Sequence, residues 1–200
     1  MVGCGLINFE TLRFLLSVYP MIETLHLFDL SVERAEQFKK KTHELKDNLK
    51  VQIHSKFATM LPVAPIIAFG TTAVKPHIYS MEGHLPHAVI LHTALRDLAP
   101  SIILHADNVA DDIEQVCSNN TSVHLAEQEF GHRDFIRTTI GDICNGDAKP
   151  YHEAKNLHIF NPFGLGILDL AVAQVIEERA HEKQVGMQFD DFLPNVWTER

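Results

Sequence analysis

The stretch Met1–Leu16, MVGCGLINFETLRFLL, decides how the rest of the chain is read. Gly3 and Gly5 stand directly before a run with apolar residues at 9, 12, 15, 16 and 19. That spacing is one face of a helix, and Pro20 stops it. A glycine turn that opens a helix leaves a bare backbone bend in front of free N–H groups with partial positive charge. Such a turn normally follows a buried strand. Here only Met1 and Val2 precede it, so the expectation is a sheet whose first strand is missing.

Working outward, TLHLFDL at 24–30 reads as a short buried strand ending at Asp29, and SVERAEQFKKKTHELK at 31–46 as a helix capped by Ser31. KVQIHS and PIIAFGTT follow as strands, the second almost continuously apolar, as a strand covered on both faces should be. Further strands are expected at 88–94 and 107–111. Helical patterns fall around 99–105, 121–130 and 135–145. NLHIFNPF then makes a strand, a glycine-flanked turn follows, and GILDLAVAQVIEERAHEKQ forms a long amphipathic helix. Strand and helix in alternation predict an α/β fold with a doubly wound parallel sheet and right-handed crossovers.

Composition narrows the function. A net charge of −9 argues against a nucleic-acid partner, because phosphate backbones are held by clustered Lys and Arg. No apolar run approaches the length of a membrane span and no leader pattern is present, so no membrane partner and a cytoplasmic setting are expected. Three cysteines without metal-type spacing fit a reducing compartment. The thirteen histidines, His84, His87 and His92 among them, follow no metal-binding motif, and no metal is expected.

Three constellations carry chemistry. In the first, Gly3-x-Gly5-x-x-Asn8, one glycine makes the tight turn and the other lets backbone approach a diphosphate; Asn8 departs from the usual Gly or Ala. An ordinary loop before a helix is the competing reading. Asp29, 24 positions beyond Gly5, strengthens the first reading: a carboxylate there accepts both ribose hydroxyls and repels a 2′-phosphate, so the cofactor expected is NAD rather than NADP. The second is Arg96-Asp97, just past a buried strand, where ligands of open parallel sheets sit. Asp97 can move a proton there; it can equally be a helix cap, or pair with Arg96 at the surface. The third, FNPFGLGILDLA at 160–171, allows close backbone approach to a ring or is plain connection.

In order along the chain, GCGLINFETLRFL, LFDLSVERAEQF, FGTTAVKPHI, LHTALRDLAP, ADNVADDIEQVC, TSVHLAEQ, HRDFIR and FNPFGLGILDLAVA resemble the ornithine cyclodeaminase/mu-crystallin family. The wording is most similar to its dehydrogenases of 2,3-diaminopropionate biosynthesis, which serve siderophore and peptide-antibiotic pathways. The resemblance runs from Gly3 to about Trp197. It implies a Rossmann-type NAD-binding domain over 1–155 and, over 156–200, a C-terminal segment returning to a substrate and dimerisation domain. Most of that second domain, with the Arg and Lys residues that clamp substrate carboxylates, would precede Met1. The implied reaction is NAD-dependent oxidative cleavage of N-(2-amino-2-carboxyethyl)-L-glutamate to L-2,3-diaminopropionate and 2-oxoglutarate, by a homodimer acting on a small amino-acid substrate. Carried over by position, Asp97 is the catalytic aspartate. Gly3, Gly5, Leu6, Ile7 and Asn8 lie along the diphosphate, and Asp29 binds the ribose. Thr71 and Thr72 line the path to the nicotinamide, which Pro162, Phe163 and Gly164 abut. Rival expectations are an ornithine cyclodeaminase, an amino-acid or ketimine reductase, or an inactive nucleotide-binding fragment.

Overall fold

The computed structural model describes residues 1–187 and 189, so the far end of the C-terminal segment, Trp197 included, lies outside the described residues. The chain divides into two units, Met1–Phe163 and the part from Gly164 onward. In the first unit, α1 (Leu6–Val18) leads to β1 (Thr24–Leu27), α2 (Val32–Thr42) and β2 (Lys50–Ile53). A short 3-10 turn (Phe57–Thr59) precedes β3 (Ile66–Phe69) and β4 (Ala88–His92). Then come α3 (Pro100–His105), β5 (Asp107–Ala110), α4 (Ile113–Val116) and α5 (Ser122–Phe130). β6 (Ile136–Thr139), α6 (Ile140–Asn145) and β7 (Leu157–Asn161) complete it. The second unit holds α7 (Gly166–Lys183), on which every apolar side chain larger than alanine is exposed.

All strand pairs are parallel. One set runs β1-β2 and the other β3-β4-β7-β5-β6. Val2 joins the two sets, bridging Phe28 on one side and Phe69 on the other. Its N–H donates to Ala68 O at 2.7 Å and its carbonyl accepts from Gly70 N at 3.0 Å. On the other flank Gly3 N donates to Phe28 O at 2.9 Å and Phe28 N to Met1 O at 3.0 Å. The first strand is thus two residues long in this chain, and those two hold the central position. The strand order reverses across them, which makes the glycine turn the switch point of the sheet.

The register of β3 shows how the core is layered. Ile67 and Phe69 enter a cluster with Ile90, Leu98, Ile103, Val123 and Ile159, while Ala68 enters a second with Leu12, Leu25, Leu27, Ala35 and Phe38. Alternate residues of a strand face opposite sides, so α1 and α2 cover one face and α3 and α5 the other. Strand 3 is buried on both, as its apolar run requires. One expectation is corrected. The pattern at 135–145 is not a single helix: Ile136–Thr139 pairs with β5, and the helix starts only at Ile140. Isoleucine and two threonines favour the strand, and Thr139 then caps α6 in a reciprocal box with Asp142.

Candidate functional site

The turn at Gly3 is fixed by sterics and by one amide. Gly3 has φ +85°, and a Cβ there would stand 2.7 Å from Gly70 O, so only glycine fits. Asn8 is fully buried. Its Nδ2 donates to Gly3 O at 2.7 Å and Val2 O at 2.8 Å, tying the first turn of α1 to the central strand. A Cβ on Gly70 would meet that amide at 2.8 Å, so glycine at 70 leaves room for the Asn8 side chain. The Asn8 side chain therefore builds the turn from inside.

Gly5 caps α1 without any side-chain hydrogen bond, and no acidic residue occupies the first turn. A Cβ on Gly5 would meet nothing within 4 Å. The N–H groups of the first turn are thus bare and open, beside the exposed side chains of Leu6 and Ile7. Asp29 is delivered to the same corner by β1. Its Oδ2 accepts from Cys4 N at 2.7 Å and its Oδ1 from Ser31 N at 2.9 Å, with Arg34 Nη1 3.7 Å away. Asp29 and the glycine turn are one hydrogen-bonded unit. Burial, then the charge of Asp29, pushes the Cys4 thiol up to about 11, so it is no nucleophile at neutral pH.

Asp97 lies at the same, carboxyl-terminal end of the sheet, in the loop after β4. Its backbone carbonyl accepts from His77 N at 3.0 Å and Ile78 N at 2.9 Å, and Leu98 N donates to Ser122 Oγ at 3.2 Å. Those bonds pin the loop. The carboxylate is fully buried and does not form a surface pair with Arg96, whose guanidinium donates instead to Asn119 O at 3.0 Å. Thr71 Oγ1 donates to Asp97 Oδ1 at 2.5 Å, and His77 Nε2 stands 3.6 Å from that oxygen. His92 Nε2 stands 3.7 Å from the other. Thr71, but not Thr72, is therefore brought onto the expected catalytic acid among the described residues.

The loop after β7 is anchored at this end too. Asp111 accepts from Phe163 N at 2.9 Å and 3.0 Å, which holds Pro162 and Phe163 beside the end of β5. Gly164, φ +101°, falls in the second unit. No spacing in the sequence groups His77 and His92, which face Asp97, with Asn161 and Asn108, which are linked to it through His92. His92, Asn108 and Asn161 meet through the parallel register of β4, β7 and β5. A separate apolar cleft of about 700 Å³ is lined by His87, Val89, Asp107, Tyr151, His158 and Phe160. His87, Asp107 and His158 mark the opposite ends of the strands, and none of its lining residues belongs to the nucleotide corner.

The sequence matches the ornithine cyclodeaminase/mu-crystallin family over residues 1–184. It is 20% identical over 188 residues to the N-((2S)-2-amino-2-carboxyethyl)-L-glutamate dehydrogenase of Staphylococcus aureus, covering 92% of this chain and 55% of that protein. Among solved structures it is similar to the Thermococcus litoralis Δ1-pyrroline-2-carboxylate reductase in complex with NADH and L-proline. There the TM-score is 0.84 at 19% identity, over 94% of this chain and 59% of that one. It is similar also to the iminosuccinate reductase of Paracoccus denitrificans in complex with NAD+, with a TM-score of 0.82 at 22% identity over 94% and 57% of the two chains. The chain spans little more than half the length of these relatives. The open glycine turn, its tethered acid and the parallel sheet that carries both are those of a member of the ornithine cyclodeaminase/mu-crystallin family, to which this chain belongs.

Proposed function

We propose that this chain is the dinucleotide-binding part of an NAD-dependent oxidoreductase acting on a small amino acid. The observation that carries the reading is the corner itself: a bare helix N-terminus behind Gly3 and Gly5, hydrogen-bonded through Cys4 N–H to Asp29. These residues fit the group. The N–H groups of Gly5, Leu6 and Ile7 would face the diphosphate, and Asp29 the ribose. By the family resemblance, Thr71, Thr72, Pro162, Phe163 and Gly164 would lie toward the nicotinamide. When bound, the nicotinamide supplies a two-electron acceptor or donor. The protein's own part is to hold that ring over the carboxyl ends of the strands and to manage protons at Asp97. Thr71 fixes Asp97 Oδ1, and half-exposed His77 stands between that oxygen and solvent.

As substrate we propose N-(2-amino-2-carboxyethyl)-L-glutamate, cleaved to L-2,3-diaminopropionate and 2-oxoglutarate by a cytoplasmic homodimer in siderophore or antibiotic precursor synthesis. The support is the motif-by-motif resemblance together with the Staphylococcus aureus relative. A ketimine or imino-acid reductase is the second reading, favoured by the fold similarity to two such enzymes. In both, the boundary expected at 155/156 moves to Gly164, because β7 pairs with β4 and β5 in the sheet of the first unit, and only the part from Gly164 onward belongs with a substrate domain. Fluorescence titration of the chain with NADH and NADPH tests the cofactor reading. NADH should bind more tightly by about tenfold or more, ~1.4 kcal/mol, and Asp29→Ala should remove the difference. Equal affinities in the unaltered chain would refute it.

A further inference from the structure

A line of buried amides behind Asp97 dictates where one proton must be. Asn108 Nδ2 donates to three backbone carbonyls, Ile103 O at 2.6 Å, Phe135 O at 3.1 Å and Ala106 O at 3.4 Å. Its amide orientation is thereby fixed, with Oδ1 turned to Asn161. An oxygen there needs a donor, and Asn161 Nδ2 provides it at 3.2 Å. The remaining Asn161 oxygen then faces His92 Nδ1 at 3.0 Å. A carboxamide oxygen only accepts, so His92 Nδ1 carries hydrogen. Three carbonyls, of Ile103 in α3, of Ala106 at its end and of Phe135 just before β6, thus set the tautomer of a histidine two residues down the chain of bonds.

The other ring nitrogen is left facing Asp97. His92 Nε2 and Asp97 Oδ2 are both buried, neither has a hydrogen-bond partner, and they stand 3.7 Å apart. With Nδ1 protonated, a neutral ring would present a lone pair to a carboxylate oxygen, two acceptors turned on each other out of water. Such a juxtaposition is costly. One proton between them removes the repulsion and leaves an ion pair. Placed on Nε2, that proton faces the unpartnered Oδ2, and both ring nitrogens then meet an acceptor, Asn161 Oδ1 on one side and Asp97 Oδ2 on the other. The surroundings do not compete for it. Phe69 of β3 presents its ring edge-on to His92, Asn161 of β7 is neutral, and Thr71 and His77 address the opposite oxygen.

We propose that His92 is a positioning residue for Asp97, the two holding a single proton on the Nε2–Oδ2 line. Shifting that proton to Oδ2 converts imidazolium and carboxylate into imidazole and carboxylic acid with no change in the net charge of the pair. Asp97 can therefore pass between base and acid without drawing on solvent. Its catalytic use rests on the oxidoreductase reading above; the proton itself is a property of this chain.

The test is the ¹⁵N spectrum of the histidine rings of the 200-residue chain at pH 7. The His92 ring is assigned by its loss in His92→Asn or, should that variant not fold, by contacts with the Phe69 ring protons. Both His92 nitrogens should be protonated in the unaltered chain, and Asp97→Asn, of nearly the same shape, should strip the proton from Nε2 and leave that on Nδ1. A His92 ring with a bare Nε2 in the unaltered chain overturns the proposal, as does an imidazolium that persists in Asp97→Asn. If Asp97→Asn does not fold, the unaltered spectrum decides by itself. The coenzyme reading fails separately: loss of NADH binding with the proton signature present sinks that reading and leaves the pair standing.

Discussion

Gly3 carries more of this site than any charged residue does. Its positive φ and the 2.7 Å approach to Gly70 O leave no room for a side chain, and it sits between the central strand and the bare end of α1. Gly3→Ala should cost about 1–3 kcal/mol from backbone strain, with the contact on Gly70 adding to it. Urea unfolding reads the loss, and NADH titration of the folded fraction should show weaker binding. Asn8 illustrates how far a motif can be read. Its departure from the expected small residue was visible in the sequence, but its role was not, because the carbonyls it binds come from the central strand and, through Ala68, from β3. Asp29 was legible because the strand before it is short and strongly apolar; the hydrogen bond that ties it to Cys4 was not.

At the scale of elements, the amino-terminal ends of β5, β6 and β7 are clamped by one acid. Asp107 accepts from Arg137 Nε at 2.6 Å, from His152 N at 3.0 Å and from His158 Nδ1 at 3.0 Å. Burial by itself would raise its pKa, yet the Arg137, His158 and His152 hydrogen bonds outweigh burial and hold it below the ordinary carboxylate range. Its folded value is therefore below its unfolded one. The stabilisation is complete above the unfolded value near ~3.9 and disappears as pH falls through the folded one. His26 and His54, 2.9 Å apart on β1 and just past β2, set a second limit. Burial holds both below the usual histidine value, with their mutual repulsion adding at His26. Their contribution is complete above ~6.5 and declines as pH falls below it. Thermal unfolding between pH 7 and 5 should thus report the histidine pair, and a further loss below about 4 the clamp. Arg137→Met should cost about 3–5 kcal/mol at pH 7, since it leaves a buried carboxylate short of its main partner; a cost near zero would show the clamp to be idle.

For the whole molecule, Phe69 is the residue through which core and site are coupled. It is fully buried, ends β3, meets Phe57 on one side and His92 on the other, and its carbonyl accepts from Thr93 and Ala94. Phe69→Ala should destabilise by about 3–5 kcal/mol in urea unfolding and disturb the His92 ring signals in the same sample. The sequence by itself determined the α/β class, nearly every strand, the glycine turn and the position of Asp29 just past β1, because hydrophobic period, caps and turn glycines are local and leave a direct imprint. It misread 135–145, where a strand and a helix abut with no glycine or proline between them and only pairing with β5 separates the two. Tertiary structure alone decided that Met1 and Val2 occupy the centre of the sheet, that Thr71, His77 and His92 meet at Asp97, and that Asn161 backs His92. Those meetings depend on which strand lies beside which, and long-range pairing of that kind leaves no periodic trace in any single segment.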